Sequence, residues 1–99
     1  IGNAGLALDQ YDALTLESTA TLEVFEGYIS AAAALGRTEE AYTKAILATK
    51  RWPNDANAYD LLAGIALQID KKDDARKAIQ KALDLNPNLE SAKQKMELL

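Results

Sequence analysis

Apolar and polar positions follow one another along the chain with a helical rather than a strand period. From Leu22 to Leu35, the residues Phe25, Tyr28, Ile29, Ala32 and Leu35 fall three and four apart, which sets them on one face of a helix. Gly36 follows as a residue suited to the left-handed conformation that ends helices. Thr38 is placed to cap a second helix, whose acids Glu39 and Glu40 suit the positive end of the helix dipole. That helix carries Ala41, Ala45, Ile46 and Ala48 and stops at Arg51, because a proline at 53 disfavours helical backbone in Trp52. The pattern then recurs. Asp55 caps a helix with Tyr59, Leu62, Ala63, Ala66 and Ile69, and Asp70-Lys71-Lys72 makes a turn. A partner helix with Ala75, Ala78, Ile79, Ala82, Leu83 and Leu85 ends before Pro87. Upstream, Gly2-Asn3-Ala4 through Ala7, Tyr11 and Leu14 reads as a further helix, and Leu89 to Leu99 as another. The spacing predicts helices over 4–17, 22–35, 38–51, 56–69, 72–85 and 88–98, and no strand.

The recurrence has a fixed period. Pro53 and Pro87 lie 34 residues apart, and the same offset pairs Ala48 with Ala82, Ala41 with Ala75, Ala32 with Ala66, Phe25 with Tyr59 and Asn54 with Asn88. Only five of the 34 aligned pairs are identical, so the order of sizes carries more weight than identity. That order is aromatic, large apolar, small, small, proline, in both copies. Tyr59-x-x-Leu62-Ala63-x-x-Ala66, then Ala75-x-x-x-Ile79, Ala82 and Pro87 resemble one tetratricopeptide repeat. The earlier copy is Phe25-x-x-Tyr28-Ile29-x-x-Ala32, Ala41-x-x-x-Ala45, Ala48 and Pro53. The family's glycine after the large residue is Ile29 in one copy and Ala63 in the other, and its bulky second-helix residue is only Ala45 in the first. The resemblance implies an all-α superhelix of helical hairpins. It would consist of a partial repeat at 1–21, which is a second helix only, whole repeats at 22–55 and 56–89, and a C-terminal capping helix at 90–99. The half-repeat at the start suggests a piece of a longer array.

Composition narrows the function. The net charge is −4, the wrong sign for a domain that neutralises phosphates, so no nucleic-acid partner is expected. Histidine and cysteine are both absent, which removes the commonest general base, the thiolate nucleophile and the usual soft metal ligands. The longest apolar run, Leu61 to Leu67, is far short of the ~20 residues that span a bilayer. No signal peptide is visible, and the compartment stays open between cytoplasm and periplasm.

Candidate chemistry is sparse. Gly2-Asn3-Ala4-Gly5 lacks the spacing and the lysine of a phosphate loop. Asp70, Asp73 and Asp74 lack the alternation, glycine and distal glutamate of a calcium loop, and read as a turn with helix-start charge. Glu39 with Glu40, and Glu23 with Glu26, are acid pairs without an enclosing pocket in view. Trp52 could anchor a peptide but reads first as a cover for the edge of the helical stack. No catalytic residue, metal or cofactor is expected, and the chain reads as a non-enzyme.

The informative surface is the one the resemblance implies, a groove lined by the first helix of each hairpin. Off the core stripe these helices hold Glu23, Glu26, Ser30 and Ala33, then Asn57, Asp60, Gly64 and Leu67. The first helices carry Glu23, Glu26 and Asp60 and no base, whereas the second helices carry Lys44, Lys50, Arg51, Lys72, Arg76, Lys77 and Lys81. A weakly acidic groove is expected, favouring a basic or apolar protein or peptide segment. Chaperone-binding members of the family clamp acidic C-termini with lysine and asparagine on these helices. The matching positions here hold Glu26 and Ser30, then Asp60 and Gly64, so that clamp is not expected. Two alternatives stand beside peptide binding: a structural spacer or assembly domain, and a non-catalytic tail of a larger enzyme. Oligomeric state is left open.

Overall fold

A computed structural model describes residues 13–15 and 20–99. Among these residues every regular element is helical. Residues 13–15 lie in a helix, and five helices follow: α1 (Leu22–Ala34), α2 (Thr38–Arg51), α3 (Ala56–Gln68), α4 (Lys72–Leu85) and α5 (Glu90–Glu97). Most of the helix predicted over 4–17, including Gly2 through Tyr11, lies outside the described residues. Among the described residues no helix is long and apolar enough to cross a membrane.

The predicted boundaries hold to within two residues, and the deviations have local causes. α1 and α3 each stop one residue early because both close with the same backbone motif. After α1, the Arg37 N–H bonds to the Ala32 carbonyl at 2.8 Å and the Gly36 N–H to Ala33 at 3.1 Å. After α3, the Lys71 N–H bonds to Ala66 at 2.8 Å and the Asp70 N–H to Leu67 at 3.2 Å. Each pair satisfies carbonyls the helix leaves open and requires a left-handed residue. Gly36 supplies it at φ 78° and Asp70 at φ 60°. At the helix starts, the Asp55 carboxylate accepts the Asn57 N–H at 2.9 Å, as its sequence position predicts. Thr38, by contrast, is the first residue inside α2, and Arg37 occupies the cap position without a side-chain cap bond. The tight left-handed closure at Gly36 leaves a single residue between the two helices, so α2 begins one position sooner than a threonine cap needs.

The boundaries themselves recur. α1 and α3 are thirteen residues each and start 34 apart; α2 and α4 are fourteen each and also start 34 apart. Contacts run between neighbours and next neighbours: α1 with α2 and α3, α3 with α4 and α5, α2 with α3, and α4 with α5. Thus α1, α3 and α5 follow one another on one side, and α2 and α4 do not meet backbone to backbone.

Alanine makes the close approaches possible. Ala32, Ala41, Ala45, Ala48, Ala58, Ala63, Ala66, Ala75, Ala82 and Ala92 are wholly buried. Larger groups fill the gaps: Tyr28, Ile29 and Ile65 join Ala32, Ala41 and Ala45 in one core, and Ile79 joins Ala63, Ala78, Ala82 and Ala92 in another. Leu62 packs against both. Leu35, placed by periodicity on the buried face of α1, is instead 39% exposed, because it follows the last helical residue and leaves the face it would have continued.

The N-terminal edge is closed by side chains. Phe25 is fully buried, and Trp52 stands edge-on to it at 5.2 Å and 88°. The Arg51 guanidinium lies over both rings and donates to the Thr15 carbonyl at 3.3 Å, while Lys44 donates to the Thr15 hydroxyl at 2.8 Å. Trp52 therefore covers the edge of the stack, the plainer of its two sequence readings.

Candidate functional site

Six of the eight residues assigned to a groove from sequence line one depression of about 670 Å³: Glu26, Ser30, Ala33, Asn57, Asp60 and Gly64. Every lining residue comes from α1, α3 or α5. Helix geometry explains the set. At roughly 100° per residue, Asn57, Asp60, Leu61, Gly64, Ile65 and Gln68 form one stripe along α3, and Glu26, Ile29, Ser30, Ala33 and Ala34 the matching stripe on α1.

The remaining two lie off the lining. Glu23 falls within the angular range of the α1 stripe but one turn before the groove begins, where it is exposed in the first turn. Leu67 sits just beyond the edge of the α3 stripe on the Asp60 side and is half-buried. Neither touches the space a ligand would fill.

The floor is apolar. Ile29 and Ile65 are buried, and Leu61 and Ala33 are half-buried beside them. These residues belong to the core between α1, α2 and α3, so the floor is fixed by the packing that holds the hairpins together. The rim is polar, with Glu26, Ser30, Asn57 and Gln68 exposed. Glu26 makes no ion pair among the described residues, so its carboxylate faces the groove uncompensated.

Asp60 is different. Lys95 of α5 crosses back and donates to Asp60 Oδ1 at 2.9 Å and to the Ser91 hydroxyl at 2.7 Å. The two charged side chains are only 21% and 15% exposed, Lys95 first. The lysine stem passes over Gly64, where an added Cβ would lie 3.3 Å from Lys95 Cε. A glycine inside a helix costs about 1 kcal/mol relative to alanine, and here it leaves the path open for that stem. The groove is therefore not acidic along its length. It holds one open acid at Glu26 and one closed ion pair at Asp60.

Reading the sequence for bases on the first and second helices passed over Lys95, because the last helix reads as a cap. The register does hold the signal: Lys95 lies 34 residues after Leu61, itself a lining residue. The floor residues Ile29, Leu61 and Ile65 read as core alone, since periodicity does not distinguish a side chain buried on all sides from one forming the bottom of a groove.

Elsewhere the candidate acids have local partners. Asp73 pairs with Arg76 at 3.2 Å, Glu40 with Arg37 at 3.4 Å, and Asp74 accepts a hydrogen bond from the Tyr42 hydroxyl at 3.2 Å. Burial, then the Asp74 hydrogen bond and charge, raise the Tyr42 phenol above its ordinary value of 10.0. The chain matches no protein-family model, and no curated protein matches it in sequence.

Proposed function

We propose that this chain is a tetratricopeptide-type helical-repeat module that binds a segment of another polypeptide in the groove between α1 and α3, and that it is not an enzyme. The observation that carries the reading is the juxtaposition of Glu26, an open carboxylate, with the apolar floor of Ile29, Leu61 and Ile65. Such a surface suits a segment with one basic residue next to an apolar one. The exposed hydroxyl and amides of Ser30, Asn57 and Gln68 can donate to or accept from a main chain passing over them. The 34-residue recurrence of helix boundaries supports the repeat assignment. The absence of histidine and cysteine from the sequence supports a binding rather than a catalytic use. Affinity would be modest, because the groove is open and the apolar contacts are small.

The test is a titration of the isotope-labelled chain with an acetylated, amidated hexapeptide holding one lysine followed by leucine in alanine. Amide shifts at Ser30, Ala33 and Gly64 are expected. Glu26→Lys should weaken binding about fivefold or more at low salt and little at high salt. Equal binding by parent and variant, or no shift in groove amides, would refute the reading.

An assembly function is the second reading, and Leu98 favours it: this leucine is 72% exposed at the end of α5. Sedimentation showing self-association that Leu98→Glu abolishes would support that use.

A further inference from the structure

We infer that Lys95 sets the ligand selectivity of the groove: by holding Asp60 in an internal ion pair across Gly64, it leaves Glu26 as the one acid open to a ligand, so the groove accepts a segment with a single cation and gains nothing from a second. The inference rests on the peptide-binding reading and adds the charge pattern of the partner to it. Glu26 and Asp60 occupy equivalent places, 34 residues apart, on α1 and α3, and both line the same depression. Two acids so placed would ordinarily attract two cations. The residue that breaks the equivalence is also fixed by the register. Opposite Asp60 stands Lys95, and at the corresponding place beside Glu26 stands Leu61. One acid is therefore neighboured by a cation and the other by an apolar side chain. A ligand cation reaching for Asp60 must first displace an ammonium already bonded to two oxygens, at 2.9 and 2.7 Å. That ammonium belongs to the same chain, so an external competitor also bears the entropy of association. A ligand cation at Glu26 meets no such competitor, and the alkyl part of its side chain can lie on Leu61 and Ile29.

The same arrangement predicts an inversion. If Asp60 loses its charge, Lys95 keeps its position beside the groove with no acid to neutralise it, and the far end of the groove becomes cationic.

Three peptides test this against the parent, Lys95→Met and Asp60→Asn, with groove amide shifts as readout. One is the single-lysine hexapeptide used above. The second carries another lysine three residues on, and the third a glutamate in that place. In the parent, the second lysine should change the dissociation constant less than twofold. In Lys95→Met it should tighten binding about three- to fivefold, a gain suppressed by salt. In Asp60→Asn the glutamate peptide should gain by a similar factor, about threefold or more, and the second lysine should not. Identical responses to the second lysine in parent and Lys95→Met would overturn the inference while leaving the groove reading intact. Failure of every peptide to bind every variant would overturn both. Circular dichroism of each variant checks that it is folded, and the Asp60→Asn arm decides the matter should Lys95→Met not fold.

Discussion

Two residues at equivalent positions do the same backbone work at different cost. Gly36 and Asp70 both take the left-handed conformation that lets a helix end in a pair of carbonyl-capping bonds. Glycine does so without steric penalty, whereas a residue with a Cβ is destabilised by roughly 1–2 kcal/mol there, with aspartate among the more tolerant. An added Cβ at Gly36 would meet nothing within 4 Å, so the cost at this position is conformational alone. Gly36→Ala should destabilise the chain by about 1 kcal/mol, and Asp70→Gly should stabilise it by about 0.5–1 kcal/mol, both measurable by denaturant midpoint. A second single-residue effect concerns Tyr42. Its phenol titrates above the ordinary value, so between the unfolded and folded values the native state holds a proton that the unfolded chain has released. The stability it contributes is complete below about pH 10 and is lost as pH rises through the folded value. Comparing the parent with Tyr42→Phe isolates that alkaline slope, which should be absent from the variant. Of these features, Gly36 as a stop is legible from the sequence because glycine signals its own conformation. Asp70 is not, since aspartate favours turns of several types. The Tyr42–Asp74 bond joins residues 32 apart and requires the fold to be known.

Between elements, the recurring device is a small residue where two helices cross. Ala41 and Ala75, 34 apart, are both wholly inaccessible, as are Ala48 and Ala82. Ala75→Leu inserts three carbons where no space exists, and should cost about 1–3 kcal/mol through displaced helices. An unchanged melting temperature would show that α4 can slide to accommodate it. Gly64 makes the opposite case. Alanine there gains about 1 kcal/mol of helix propensity, and the atom it crowds, Lys95 Cε, belongs to a flexible side chain that can move by a few tenths of an ångström. Gly64→Ala should therefore raise the melting temperature while loosening the Lys95–Asp60 pair, seen as a shift of the Lys95 side-chain resonances. A fall in stability would mean the lysine stem is held too firmly to yield. Helix type and extent were legible at this scale because each apolar stripe is interrupted by a proline, glycine or acid at its ends. The division of α1 and α3 into a core-facing and a groove-facing side was legible in part. Glu26, Ser30, Asn57, Asp60 and Gly64 fell on the right side through register, whereas Glu23 lay one turn too early and Leu67 just past the stripe.

For the molecule as a whole, the consequence of this layout is that α3 joins two cores. On one side it closes the cluster of Tyr28, Ile29, Ala41 and Ala45 through Ile65, and on the other it packs Ala63 against Ala78, Ile79, Ala82 and Ala92. α5 meets only α3 and α4, and α1 meets only α2 and α3, so the two ends communicate solely through the middle. When contacts are confined to near neighbours, stability approximates a sum of local terms, and an end can open without the rest. Ala92, fully buried on the short α5, is the place to test this. Ala92→Glu keeps a good helix former but places an unpaired carboxylate against the second core, which disfavours docking rather than helix formation. The expected result by native-state hydrogen exchange is selective. Amides of α5 and the face of α4 beneath it lose protection, while those of α1 and α2 keep theirs. Because Lys95 leaves with α5, Asp60 should then lose its partner, and the groove should bind the two-lysine peptide more tightly than the parent does. If protection instead falls equally across all five helices, the chain unfolds as one cooperative unit and Leu62, packed against both clusters, transmits the loss from end to end.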